Sequence, residues 1–225
     1  EHHVYDKKEL TMRELLTILH VNFEGYEKER QRFLNKTPKY GNDDDCADNI
    51  MKKVFDIFYD AVNGRKTPTG SIYRIEMLPT TCHVYFGSVV GATPDGRKAG
   101  KPLSEGISPV QGVDRKGPTA VIKSASKMDQ IRTGGALLNQ KFAPQLLKDQ
   151  EGLEKLKDLI RAYFKMDGHH IQFNVVSADT LRNAQKNPEN YRNLIVRVAG
   201  YSDYFNNLNK DLQDEIIERS EHKSF

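Results

Sequence analysis

The apolar positions fall into helical spacing at both ends of the chain and into short strand-like runs between them. Leu15, Leu16, Leu19, Phe23 and Tyr26 recur every three or four residues, the spacing of one helix face. Thr11 with Glu14 precedes them as a capping box, so the pattern predicts one amphipathic helix from Thr11 to about Leu34. NKTPKYGNDDD, residues 35–45, is turn chemistry. Its aspartates stand where a helix N-terminus favours negative charge. Ile50, Val54, Ile57, Phe58 and Ala61 then mark the apolar face of a second helix, which stops at Asn63-Gly64.

After Gly70 the texture changes. YRIEML (73–78) and CHVYFGSVV (82–90) read as short strands around the turn residues Pro79, Thr80 and Thr81. From Gly87 to Gly135 the chain is rich in glycine, proline and serine, yet it keeps spaced apolar residues that a disordered tract would lack. It is expected to be an ordered series of loops feeding a site. GLEKLKDLIRAYFKM (152–166) predicts an amphipathic helix, HIQFNVV (170–176) a strand, SADTLRNAQ a helix capped by Ser177, LIVRVA (194–199) a strand, and LNKDLQDEIIERS (208–220) a closing helix. Strand, helix, strand after residue 168 suggests a βαβ unit. The class is therefore α/β, with a helical segment over 1–70 and a second domain over 71–225.

Composition narrows the function. Charged residues make up 29% and the hydrophobic set 37%, with a net charge of only +3. Basic residues are dispersed, which disfavours a nucleic-acid role, and no apolar run reaches bilayer-spanning length. A cytoplasmic protein without membrane or nucleic-acid partners is expected. The two cysteines, Cys46 and Cys82, suit reduced thiols better than a disulfide. Cys82 is expected to be buried and structural.

Metal chemistry has little support. His169 and His170 are adjacent, and on a strand adjacent side chains point to opposite faces. Asn42 to Asp45 lacks the remaining spacing of a calcium loop and suits helix capping better. Gly134-Gly135 follows no strand-to-helix phosphate pattern. No metal is expected in this chain.

RVAGYSDYF, Arg197 to Phe205, remains. By local rules Gly200 ends a strand, and most such glycines serve backbone conformation. This stretch nevertheless resembles the glycyl radical signature of the pyruvate formate-lyase-like enzymes, Arg-Val-x-Gly-Tyr. MLPTTCHVYFGSVVGATPDGRKAGKPLSEGISPVQG, GPTAVIKSASKMDQIRTGGALLNQKFAP and MDGHHIQFNVVSADTLRNAQ are similar to that family's C-terminal region, in the same order, and together span essentially the whole chain.

The resemblance implies a fold, an activity and partners. The fold would be the C-terminal part of the family's α/β barrel with peripheral helices. Gly200 would store a glycyl radical, formed by a radical S-adenosylmethionine activating enzyme, with Arg197 and Tyr201 as neighbours of the radical loop. A side chain at residue 200 would crowd a flat Cα centre. The radical would pass to a cysteine in a Gly-Cys-x-Glu motif. Neither Asp45-Cys46 nor Thr81-Cys82 matches it, so that cysteine would lie outside this chain, in an N-terminal remainder. The implied chemistry is oxygen-sensitive, anaerobic hydrogen abstraction from a small molecule and loss of water, from trans-4-hydroxy-L-proline or a diol. Met77, Leu78 and Thr80 in MLPTT and Arg219 in the closing helix would line the substrate pocket. Pro79 with its threonines is equally good turn chemistry, and Arg219 read locally is a surface cation near a helix C-terminus. A homodimer or higher oligomer is expected. The rival functions are an accessory glycyl radical subunit that repairs an oxygen-cleaved partner, and a formate acetyltransferase fragment.

Overall fold

The computed structural model of the chain describes residues 1–78 and 80–225; Pro79 of the expected turn lies outside them. The helices are α1 (Met12–His20), α2 (Glu27–Lys36), α3 (Asp45–Val62), α4 (Cys82–Val89), α5 (Pro118–Ser126), α6 (Gln150–Lys165), α7 (Ala178–Lys186) and α8 (Lys210–Glu218). The strands are β1 (Leu138–Phe142), β2 (Ile171–Val175), β3 (Ile195–Arg197), β4 (Ser202–Tyr204) and β5 (Glu221–His222). The chain forms two compact units, one from Glu1–Pro38 with Cys82–Leu103 and one from Lys39–Thr81 with Ser104–Phe225.

In the first unit the capping box at Thr11 and Glu14 forms as expected: Glu14 N donates to Thr11 Oγ1 at 3.2 Å and Thr11 N to Glu14 Oε2 at 2.6 Å. The single helix expected to Leu34 is instead two. Asn22 and Phe23 adopt positive φ, which turns the chain back and drops Phe23 into a core with Leu15, Ile18 and Phe33. Residues 82–90 form the helix α4 rather than a strand. His83 and Gly87, four apart, are its buried positions. A Cβ at Gly87 would come within 2.3 Å of the Lys101 carbonyl oxygen, so glycine permits that close backbone approach. β-branched and aromatic residues gave the segment its strand-like look, and this packing overrides them. Cys82 is exposed, so the expected buried thiol is corrected: helical spacing puts His83 inward in its place.

In the second unit β1 lies between β2 and β5, parallel to both. Leu138 pairs with Ile171 and Phe142 with Val175. One sheet face carries Leu138, Phe142 and Phe173 into a core with Val121, Ile122, Ala125, Leu159 and Tyr163 from α5 and α6. The real βαβ unit is thus β1–α6–β2. The expected unit of β2, α7 and β3 does not form, because β3 pairs antiparallel with β4. Residues 73–78 make no strand beyond the isolated bridge of Met77 to Ala136. The 87–135 stretch includes α5 along with its loops.

The acidic turn caps α3 as expected, with Asp44 accepting from Cys46 N at 3.0 Å. Asp43, Asp45 and Asp48 also converge on Lys127 Nζ at 2.9, 2.7 and 2.7 Å. The face of α3 is the reverse of the expected one. Phe55 enters the core with Met51, Tyr59 and Val62 against it, while Ile50, Val54, Ile57 and Phe58 are exposed.

Candidate functional site: the Gly200 turn

Gly200 sits in the turn from β3 to β4. Val198 N donates to the Tyr201 carbonyl at 2.9 Å, and Gly200 has φ +79°, in the region that L side chains avoid. A Cβ there would meet only Leu137 Cδ1, at an ordinary 3.6 Å. Within this chain glycine is therefore required by conformation, not by the expected crowding. Gly200 and Tyr201 are exposed, whereas Val198 and Ala199 are buried.

The turn is held by the second face of the parallel sheet. Asn139 and Lys141 on β1 stand in register with Gln172 and Asn174 on β2, all four buried. Asn174 forms a reciprocal pair with the Arg197 backbone, accepting from its N–H at 2.8 Å and donating to its carbonyl at 2.7 Å. Gln172 Oε1 accepts from Gly200 N at 3.1 Å and from Arg197 Nε at 2.7 Å. Its Nε2 donates to Asn139 Oδ1 and to the Val198 carbonyl. Arg219 Nη1 donates to the same carbonyl at 3.0 Å. Gln172 and Asn174 of β2 and Arg219 at the end of α8 thus converge on the backbone just before Gly200.

Behind the turn lies a cavity of about 20 Å³ lined by Glu105, Asp114, Lys141, Glu215, Arg219 and His222, among others. Arg219 is buried, not the surface cation of the local reading. It forks onto Glu215, with Nη2 donating to Oε2 at 2.8 Å. Burial opposes its charge, but Glu215 and Glu105 outweigh that and hold its pKa above the ordinary arginine value. Burial raises Glu105 above the usual carboxylate range against the pull of Arg219, and raises Asp114 to about 6. Lys141 falls to about 8 through burial; its Nζ caps α8 by donating to the Ile217 carbonyl at 2.8 Å. His222 falls to about 4, through burial first and Lys141 second. Its 3.6 Å approach to Asp114 is therefore a contact of neutral imidazole with carboxylate at pH 7, not an ion pair.

The MLPTT residues attach beside this turn. Met77 N donates to the Gly135 carbonyl at 2.7 Å and Met77 bridges Ala136, the neighbour of Leu137 that underlies Gly200. Leu78 is partly exposed over Gly135, and Thr80 has φ +52°. His169 and His170 precede β2 and do not converge with other ligands. Among the described residues no cluster of three His, Cys, Asp or Glu side chains could hold a metal, and no helix is long and apolar enough to cross a membrane. Gln172, Asn139, Asn174, Glu105 and Glu215 escaped the sequence reading. The alternation in IQFNV was the available signal, a polar residue at every second position of an otherwise apolar strand; LNQKF, with three polar residues in a row, carried none.

An exposed, positive-φ glycine, pinned by a polar sheet face at the end of an α/β unit, defines the class: an α/β protein with a built glycine turn. Residues 103–206 match the family described as Glycine radical, and residues 1–87 the family described as Pyruvate formate lyase-like. The chain belongs to the glycyl radical enzymes of the pyruvate formate-lyase-like type. It is 59% identical to trans-4-hydroxy-L-proline dehydratase of Clostridioides difficile over 98% of this chain and 28% of that protein. The crystal structure of the hydroxyproline dehydratase with trans-4-hydroxy-L-proline bound superposes with a TM-score of 0.95. The glycerol-bound B12-independent glycerol dehydratase of Clostridium butyricum superposes at 0.94, with 45% identity over 99% of this chain and 28% of that one. An isethionate sulfite-lyase of Bilophila wadsworthia is 45% identical over 97% of this chain and 27% of that protein. The relatives are dehydratases and lyases, and this chain spans little more than a quarter of their length.

Proposed function

We propose that this chain is the radical-storing C-terminal portion of a glycyl radical dehydratase, with Gly200 as the radical seat. One observation carries the reading: the glycine of the Arg-Val-x-Gly-Tyr signature is the one at the tip of the clamped turn, at φ +79°. Arg197, Val198 and Tyr201 fix that tip from either side. A glycyl radical supplies a one-electron centre that abstracts hydrogen and reacts with oxygen, so it needs a shielded setting. Gly200 is exposed here, which supports a cover from protein outside these 225 residues. The exposed apolar stripe of α3 supports the same conclusion.

The catalytic cysteine belongs to that missing portion, since neither Cys46 nor Cys82 stands in a Gly-Cys-x-Glu context. A radical S-adenosylmethionine enzyme is the activating partner, and the assembled enzyme is a homodimer or larger. The substrate is trans-4-hydroxy-L-proline or a small diol, in line with the names of the relatives. Met77, Leu78 and Thr80 form pocket wall, tied to the turn through residues 135–137, and Arg219 stands behind the site. The helical segment 1–70 serves as support and 71–225 as the radical domain.

Anaerobic incubation with an activating enzyme tests the radical seat by electron paramagnetic resonance. One Cα hydrogen left on Gly200 should split the signal into a doublet, and protein grown with Cα-deuterated glycine should lose that splitting. Air should then cut the chain beside Gly200. The absence of both the doublet and the cut would overturn the assignment.

A further inference from the structure

We propose that Gln172 is the positioning residue of the glycine site, holding the Gly200 peptide plane through one shared acceptor. This rests on Gly200 as the radical seat. Gln172 is only 5% exposed and sits mid-strand on β2, a position normally apolar in a buried parallel sheet. Its amide bonds the glycine turn at both ends and Asn139 of β1 beside it. Oε1 accepts from Gly200 N at 3.1 Å and from Arg197 Nε at 2.7 Å, and Nε2 faces Asn139 Oδ1 and the Val198 carbonyl. Two donors on one side and two acceptors on the other leave a single orientation of the amide that satisfies all four.

The surroundings keep that orientation. Asn139, in register with Gln172, has its own Nδ2 3.4 Å from the Val198 carbonyl, and Arg219 holds that carbonyl from the other side. Arg197 is held to the Gln172 acceptor and by Nη1 to Ser202 Oγ at 3.3 Å. The guanidinium polarises the oxygen that accepts from Gly200, and a charged partner of this kind strengthens and orders the pair.

The consequence concerns the amide beside the reacting carbon. An N–H that donates to an acceptor leaves more electron density on its nitrogen, and that nitrogen adjoins Gly200 Cα. Gln172 therefore does two things through one bond. It orients the 199–200 peptide plane, whose nitrogen adjoins Gly200 Cα. It also makes the Gly200 nitrogen a better electron donor to an electron-deficient Cα. No other described side chain is bonded to the Gly200 N–H.

The test compares Gln172→Met with Gln172→Glu in the full 225-residue chain. Both variants lose the Nε2 donor to Asn139 and Val198; methionine also loses the acceptor, whereas glutamate keeps it and sets a second oxygen against those two acceptors. In the unactivated chain, amide exchange at Gly200 followed by nuclear magnetic resonance should be about five- to tenfold faster in Gln172→Met and near wild type in Gln172→Glu, the scale of one net hydrogen bond. In activated protein, electron–nuclear double resonance should show a changed Gly200 amide-proton coupling, and a shorter radical lifetime, in the methionine variant only. Equal exchange in wild type and both variants overturns the proposal, as does an unaltered amide-proton coupling in Gln172→Met. A wild-type chain that exchanges slowly at Gly200 but never yields a doublet overturns the radical seat and leaves the hydrogen bond standing, so the two failures are distinguishable. A Gln172→Met chain that does not fold leaves the exchange comparison of wild type with Gln172→Glu, where loss of protection in the glutamate variant counts against the shared acceptor.

Discussion

At the residue scale, the Gly200 turn depends on backbone conformation and on buried charge. Gly200→Ala keeps space for its methyl group, with Leu137 at 3.6 Å, but must hold φ +79°. We expect a loss of about 1–2 kcal/mol, the cost of the left-handed region for a residue with a Cβ, read as a shifted urea midpoint with an unchanged slope. A much larger loss would mean that the site is crowded after all. Arg219→Met leaves the fully buried Glu215 without its fork, and we expect about 3–5 kcal/mol of destabilisation. Replacing both residues by apolar ones should recover much of this.

Asp114 and His222 give opposite pH signs. The Asp114 pKa is raised from 3.8 to about 6, so its contribution to stability is full below 3.8 and lost as pH rises through 6. That of His222 is lowered from 6.5 to about 4, so its contribution is full above 6.5 and lost as pH falls through 4. Between these limits the two offset each other. Asp114→Asn should therefore steepen the acid loss of stability, and His222→Gln should flatten it, in urea midpoints measured across that window. Parallel profiles for both variants and wild type would sink the assignment.

At the element scale, α3 and the strands show how periodicity can be right about type and wrong about direction. The helix over 45–62 formed, with its cap and its stop at Asn63, but its most apolar stripe faces away from the described core. Spacing identifies a face without saying what meets it. Val54→Glu, on that stripe and away from Phe55, should leave the melting temperature of the chain nearly unchanged and reduce its self-association in sedimentation. A drop in stability comparable to a core substitution would show that Val54 is buried in solution. Strand β1 was missed for the complementary reason. Asn139, Gln140 and Lys141 are three polar residues in a row, yet all are buried, because their partners are the glycine turn, the Pro118 carbonyl and the end of α8. A buried polar group costs little where it is hydrogen-bonded, and a linear pattern does not reveal the groups that bond it.

At the scale of the whole molecule, the sequence by itself determined the α/β class, most helix positions with their caps, and the family signature around Gly200. Those follow from local signals: capping residues, 3.6-residue spacing, and a signature five residues long. The tertiary structure decided what could not be local. Phe23 broke the first helix because a core lay within reach of a turn through Asn22. His83 and Gly87 made a helix of a strand-like segment because the 101–102 backbone packs against Gly87. β2 paired with β1, 33 residues upstream at its matched positions, rather than with β3. That pairing aligned Asn139 with Gln172 and so assembled the polar face that grips the Gly200 turn. The glycine is legible in RVAGY, but the acceptor on its N–H is 28 residues away, and only folding brings it there. Side-chain chemistry is written along the chain; which groups meet depends on register and burial, set by contacts distant in sequence.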